Sequence, residues 1–159
     1  MKTKFSAWRR FWNLSAESRL LAGEAGVALT ATWLGLRVAG YNRWRSVIDR
    51  LAPAATKSEK GLDSKQLGLA QEIARLERSA VRHLILPTNC LEQSMTLLWM
   101  LRRRGMPAEL RFGARKEEGK FEAHAWVELG GVVLNEVPEQ HLHFTAFNRA
   151  IAPLERQIP

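Results

Sequence analysis

The hydrophobic periodicity of this chain changes once, at Met106-Pro107, and that change limits the folds open to it. Upstream, apolar residues recur three and four apart, as an amphipathic helix requires. Residues 65–84, for example, keep this spacing through Leu69, Ile73, Leu76, Ala80 and Leu84. Downstream, apolar and polar residues alternate, as a half-buried strand requires. Residues 108–114 read as one strand, 115–120 as a polar turn and 121–129 as a second strand. Gly130-Gly131 then leads into a third strand over 132–137. Helices followed by an antiparallel meander predict an α+β fold rather than alternating strand–helix units.

Three segments are expected. Residues 1–51 are a helical N-terminal region, with Ser15 and Ser18 able to cap a helix entered at Ala16 and Glu17. Residues 52–64, rich in Ala, Pro, Ser and Lys, read as a linker or loop, and 65–159 as the core. Within that core, Leu86-Pro87-Thr88-Asn89-Cys90 is a helix start. Asn89 is a candidate N-cap and Glu92 stands three residues on, the spacing of a capping box. The helix is expected to end at Arg102-Arg103-Arg104-Gly105, where cations meet the negative end of the dipole and glycine supplies the left-handed cap. A cysteine therefore stands at the first position of a well-specified helix.

That cysteine is the only one in 159 residues, which excludes an internal disulfide and a multi-thiolate zinc site and fits a reducing cytoplasm. The chain carries 24 Lys and Arg against 16 Asp and Glu, a net charge of +8. Its clusters at Arg9-Arg10, 43–50, 75–82 and 102–104 read as solvated helix faces and helix ends. No helix-turn-helix, zinc-finger or aromatic RNA-binding pattern accompanies them, so no nucleic-acid partner is expected. The apolar stretch 20–36 lacks a signal-peptide cleavage site, and Glu24 makes spanning a bilayer costly. A buried or interfacial helix fits it better. Trp8, Phe11 and Trp12 beside Arg9 and Arg10 form an amphipathic mixture that could meet a partner or, less readily, a membrane surface, but a helix packed on the core is the expected reading.

The chemistry-bearing residues follow from these elements. A thiol attacks as thiolate, and helix N-terminal amides favour that form and can also donate to an oxyanion. Alone, Cys90 reads more often as a small buried apolar residue than as a nucleophile. His124 adds a second group with a fixed direction, since Phe-Glu-Ala-His-Ala-Trp-Val-Glu places it inside a strand. A general-base histidine needs an orienting partner, and the next strand offers Asn135 and Glu136. Register decides between them. A three-residue Leu129-Gly130-Gly131 loop sets Glu136 across from His124, whereas a two-residue Gly-Gly turn puts Asn135 on the face of His124 and Glu136 on the other. Glu136 is the expected orienter, with Asn135 the fallback. Asn89 and Gln93 are candidates for a second oxyanion donor. His83, His141 and His143 read as structural or surface residues, and neither a metal nor a cofactor is expected.

Residues 90–105, Cys-Leu-Glu-Gln-Ser-Met-Thr-Leu-Leu-Trp-Met-Leu-Arg-Arg-Arg-Gly, resemble the nucleophile helix of the transglutaminase-like proteins that mature lasso peptides. Leu110-Arg111-Phe112-Gly113-Ala114-Arg115 is similar to the strand that follows, and the stretches 123–128 and 130–136 to its His and acid strands. The resemblance covers 86–137 well and the N-terminal helices loosely. It implies a Cys-His-Asp-type triad on Cys90, His124 and Glu136, with glutamate where family members often have aspartate. It also implies a leader peptidase acting on the leader peptide of a precursor, alongside a separate leader-recognition protein and an ATP-dependent cyclase. An amidase or acyl transferase on another peptide, or a catalytically silent peptide-binding module, are the alternatives.

Overall fold

The computed structural model describes residues 14–55, 63–117, 120–135 and 144–146. Helix α1 spans Ala16–Leu51, α2 spans Ser64–His83 and α3 spans Cys90–Arg102. Strands β1 (Ala108–Glu117), β2 (Lys120–Leu129), β3 (Val132–Val133) and β4 (Thr145–Ala146) follow. The α+β order expected from the periodicity is the one observed.

Local chemistry explains most of the helix boundaries. The Ser15 hydroxyl accepts the Ser18 amide at 3.1 Å, and the Ser18 hydroxyl donates to Glu72 Oε1 at 2.6 Å, so the start of α1 is both capped and tied to α2. Gly40, at φ 75° and ψ 170°, breaks α1 into two helices across a kink. Only glycine takes that conformation without strain. Near the kink, a Cβ on Gly35 would lie 2.3 Å from the Trp44 ring, so the indole packs against the helix because residue 35 has no side chain. Asp63 caps α2 through the Lys65 amide at 3.3 Å, which starts the helix at Ser64.

The four strands form one sheet in the order β3-β2-β1-β4. The β1–β2 hairpin is longer than the sequence suggests: residues 115–117, read above as a turn, continue β1. Arg115 pairs with Glu122 in the register and bonds its carboxylate at 2.7 Å, so the polar stretch extends as a cross-strand ion pair. On the other side, Leu129 pairs with Val132 and Glu128 with Val133. Gly130 and Gly131 have φ of 58° and 83°, the positive pair that a tight two-residue hairpin turn demands.

Helix α3 lies at the centre, packed against α1, α2, β1 and β2. Its Met95, Leu97, Leu98, Met100 and Leu101 are fully buried, as are Ile73 of α2 and Val127 and Leu129 of β2. Leu21, Ala25, Ala28 and Ile48 of α1 belong to the same cluster, so the front helix shares one core with the rest. Ion pairs fasten its rim: Arg104 grips both oxygens of Glu24 at 2.9 and 2.6 Å. Arg102, itself buried, donates to Asp49 at 2.7 Å and to the Ala108 carbonyl at 3.0 Å. Among the described residues no helix is long and apolar enough to cross a membrane.

Candidate functional site

Cys90 stands at the first position of α3, half-buried and free. The helix start that carries it is a complete capping box. The Asn89 side-chain oxygen accepts the Leu91 and Glu92 amides at 3.0 and 3.3 Å, and Glu92 Oε2 accepts the Asn89 amide at 2.6 Å. Gln93 extends its side-chain amide back to the Thr88 hydroxyl at 3.4 Å, across the loop that enters the helix. Asn89 is thus a structural cap with its oxygen occupied, while Gln93 lies beside the cysteine-bearing turn.

Helix α1 reaches the same place from outside. Arg37 Nη1 donates to Glu92 Oε1 at 2.6 Å, Nη2 lies 3.5 Å from the Pro87 carbonyl, and the guanidinium stacks 4.1 Å over the Trp33 ring. Glu92 is buried, and its two oxygens are divided between the cap and this arginine.

His124 lies in β2 opposite Gly113 of β1. Its ring is 4.9 Å from Phe144 and 6.2 Å from Trp126, nearly parallel to the latter at 22°. Trp126 is itself fixed by donating its indole N–H to Glu128 Oε1 at 2.8 Å. Burial holds the imidazole below its usual pKa; Glu122 opposes this and Arg115 reinforces it. A neutral ring at neutral pH is the form that can accept a proton.

One direct hydrogen bond and a bridge through Asn135 tie α3 to the strand that carries His124. Ser94, one turn after Cys90, donates its hydroxyl to the carbonyl of Ala125, the residue after His124, at 2.9 Å. Asn135 donates to that same hydroxyl at 2.8 Å, and its oxygen accepts the Val127 amide at 2.8 Å. Asn135 therefore stands where the β2–β3 ladder gives out. Leu134 still donates to the Val127 carbonyl at 3.1 Å, but the returning bond goes to a side chain, and the Leu134 carbonyl is taken by Arg78 at 2.7 Å.

Of the sequence-derived residues, Asn89, Cys90, Gln93, His124 and Asn135 are all described. Glu136 lies outside the described residues, as do His141, His143, Trp8, Phe11 and Trp12. The turn before β3 is the two-residue one, so the regular ladder is in the register that favours the fallback. His83 is accounted for locally, its Nδ1 lying 2.6 Å from the Ser79 carbonyl. Sequence reasoning missed Ser94, Arg37, Gly113 and Phe144. A Cβ on Gly113 would sit 2.9 Å from Trp126 and 3.0 Å from Phe144, the two rings that flank His124. A glycine inside an alternating strand was the available signal for that close approach.

A sequence profile described as transglutaminase-like superfamily matches residues 33–149. The chain is also similar to the microcin J25-processing protein McjB of Escherichia coli, 38% identical over 71 residues. That match covers 44% of this chain and 32% of the relative, so it spans about a third of McjB's length. No solved structure matches the chain.

Proposed function

The chain belongs to the transglutaminase-like superfamily, and from that premise we propose that it is a cysteine peptidase that cuts the leader from a lasso-peptide precursor before the macrolactam closes. Cys90 is the nucleophile and His124 the base. The observation that carries the reading is the Ser94–Ala125 hydrogen bond, which joins the turn after the thiol to the residue after the imidazole. The spacing of the elements supports it further. From Ser94 to Arg102, α3 is bonded successively to Ala125 and to Ala108, whose strand partner is Leu129, so the helix runs along β2 in the same sense. One turn back from Ser94 is about 6 Å, or roughly two strand residues, so Cys90 is at the height of 122–124 along the strand. The His124 ring shares the Trp126 side of the sheet, while Val127 and Leu129 take the side packed on α3. The likeness to a microcin-processing protein supports a ribosomally made peptide as the substrate.

In this mechanism His124 takes the Cys90 proton and the thiolate attacks the carbonyl of the amide joining leader to core. The oxyanion is received by the Cys90 amide, one of those a helix start leaves without an internal partner, and by Gln93. His124 then protonates the leaving core amine as the C–N bond breaks. Water, deprotonated by His124, attacks the leader thioester, the leader carboxylate departs and the thiol is restored. Glu136 orients His124. Because the β2–β3 ladder ends at Asn135, strand alternation does not dictate the direction of the next side chain. A separate leader-recognition protein presents the precursor, and the ATP-dependent cyclase consumes the core released.

The test is mass spectrometry of a precursor incubated with the full chain and the leader-recognition protein. Separate leader and core masses, lost in Cys90→Ala and His124→Ala, are expected. An intact precursor with the folded wild-type protein would refute the peptidase reading, and a mass gain would replace it with acyl transfer.

A further inference from the structure

The cap that holds Cys90 contains a charge that works against a thiolate. Glu92 is two residues from the cysteine and almost wholly buried, its side chain 4% exposed. A carboxylate in that position repels the developing negative sulfur, yet the capping box needs it to accept the Asn89 amide at 2.6 Å. The conflict is relieved from a different element. Arg37, in α1, places Nη1 2.6 Å from the Glu92 oxygen that the cap does not use. Its second nitrogen lies 3.5 Å from the carbonyl of Pro87 in the loop leading into the helix, and the Trp33 ring and carbonyl hold the guanidinium from behind, the carbonyl at 3.2 Å.

We propose that Arg37 is a positioning residue for Cys90, acting through the Glu92 carboxylate: it neutralises the charge the cap requires and fixes the loop from which the thiol is presented. The role rests on the peptidase reading only for its purpose, since thiol reactivity can be read whatever the substrate. It also explains why α1 must be docked for the site to be complete, because the arginine comes from a helix distant in sequence from the nucleophile. The Arg37 side chain is 43% exposed, so it can be replaced without opening the core.

The experiment is the alkylation rate of Cys90 by iodoacetamide at fixed neutral pH, in the full chain, where the single cysteine makes the signal unambiguous. Arg37→Met is expected to slow alkylation roughly threefold to tenfold, the size of an uncompensated neighbouring charge at a partly exposed site. Arg37→Lys should recover most of the rate. Glu92→Gln in the Arg37→Met background should recover it as well, because glutamine keeps the cap without the charge. Far-ultraviolet circular dichroism and the thermal midpoint establish that each variant is folded. An unchanged rate in Arg37→Met, a faster one from a loosened helix start, or a loss that Glu92→Gln does not reverse would each overturn the proposal. A precursor left uncut by wild-type protein, with the alkylation pattern as expected, would defeat the peptidase reading and leave this one standing.

Discussion

Glu77 is the residue whose environment departs furthest from what its chemistry prefers. It lies on the buried face of α2 with no measurable exposure, and neither carboxylate oxygen accepts a hydrogen bond among the described residues. Burial raises its pKa from 4.5 to about 8, with Arg78 pulling it back. Between those two values the folded chain holds a proton that the unfolded chain has released. Stability should therefore fall as pH rises through that window and level off above about 8. Glu77→Gln should remove this slope, leaving the variant more stable than wild type at pH 9 by at least about 1 kcal/mol, as measured by urea unfolding. Equal slopes in the two proteins would show the carboxyl to be solvated. Ser94 makes the opposite case, a buried hydroxyl that both donates and accepts. Ser94→Ala strands the Ala125 carbonyl and one Asn135 donor, and should cost about 1–3 kcal/mol. If Cys90 and His124 work together, it should also lower kcat for precursor cleavage more than it raises KM, because it loosens the helix against the His strand.

At the scale of elements, the β1–β2 hairpin owes the placement of His124 to one missing side chain. Gly113 faces His124 in the register, and its bare backbone admits the Trp126 and Phe144 side chains. Gly113→Ala should push these rings outward, with a stability loss of about 1–3 kcal/mol from overpacking and a fall in cleavage greater than that loss explains. Near-ultraviolet circular dichroism of the tryptophans reads the displacement, and an unchanged spectrum with full activity would contradict it. Helix α1 shows a similar dependence on glycine, at Gly40 and Gly35. There the requirement is a change of direction that lets Trp44 lie back on the helix rather than a close fit to the site.

For the molecule as a whole, the front helix is part of the core. Leu21, Ala25 and Ala28 precede the segment matched by the superfamily profile, yet they pack in one cluster with Leu98 and Val127. Removing residues 1–32 should cost several kcal/mol of buried apolar surface and yield a chain that no longer unfolds cooperatively, as a denaturant titration would show. A shortened chain with full cooperativity would mean that the first half of α1 is an accessory. Under the proposed peptidase reading, the pH dependence of cleavage is also a property of the assembled fold. His124 is held below its usual pKa chiefly by burial, so the acid limb of cleavage should lie below the ordinary histidine range near 6.5. Burial of the neutral ring makes the folded state bind fewer protons there, so stability drops as pH falls through that same region.

The α+β order and the capped helix with Cys90 at its first position are legible in the residues alone, because each rests on contacts between residues a few positions apart. The two-residue form of the Gly-Gly turn was one of two alternatives and emerged only with the strand pairing. Propensity, periodicity and capping are local, and Asn89, Glu92 and Gly105 carry them. The length of the first hairpin was misjudged because Arg115 and Glu122 look like turn residues until they are seen opposite each other. The three-dimensional packing alone makes Ser94 bond the carbonyl beside His124, brings Arg37 to Glu92 across the helix pair, and lets Gly113 make room for the rings around the imidazole. Those relations join residues tens of positions apart, and no periodic pattern records them. They are set by how the shared core brings α1, α3 and β2 together.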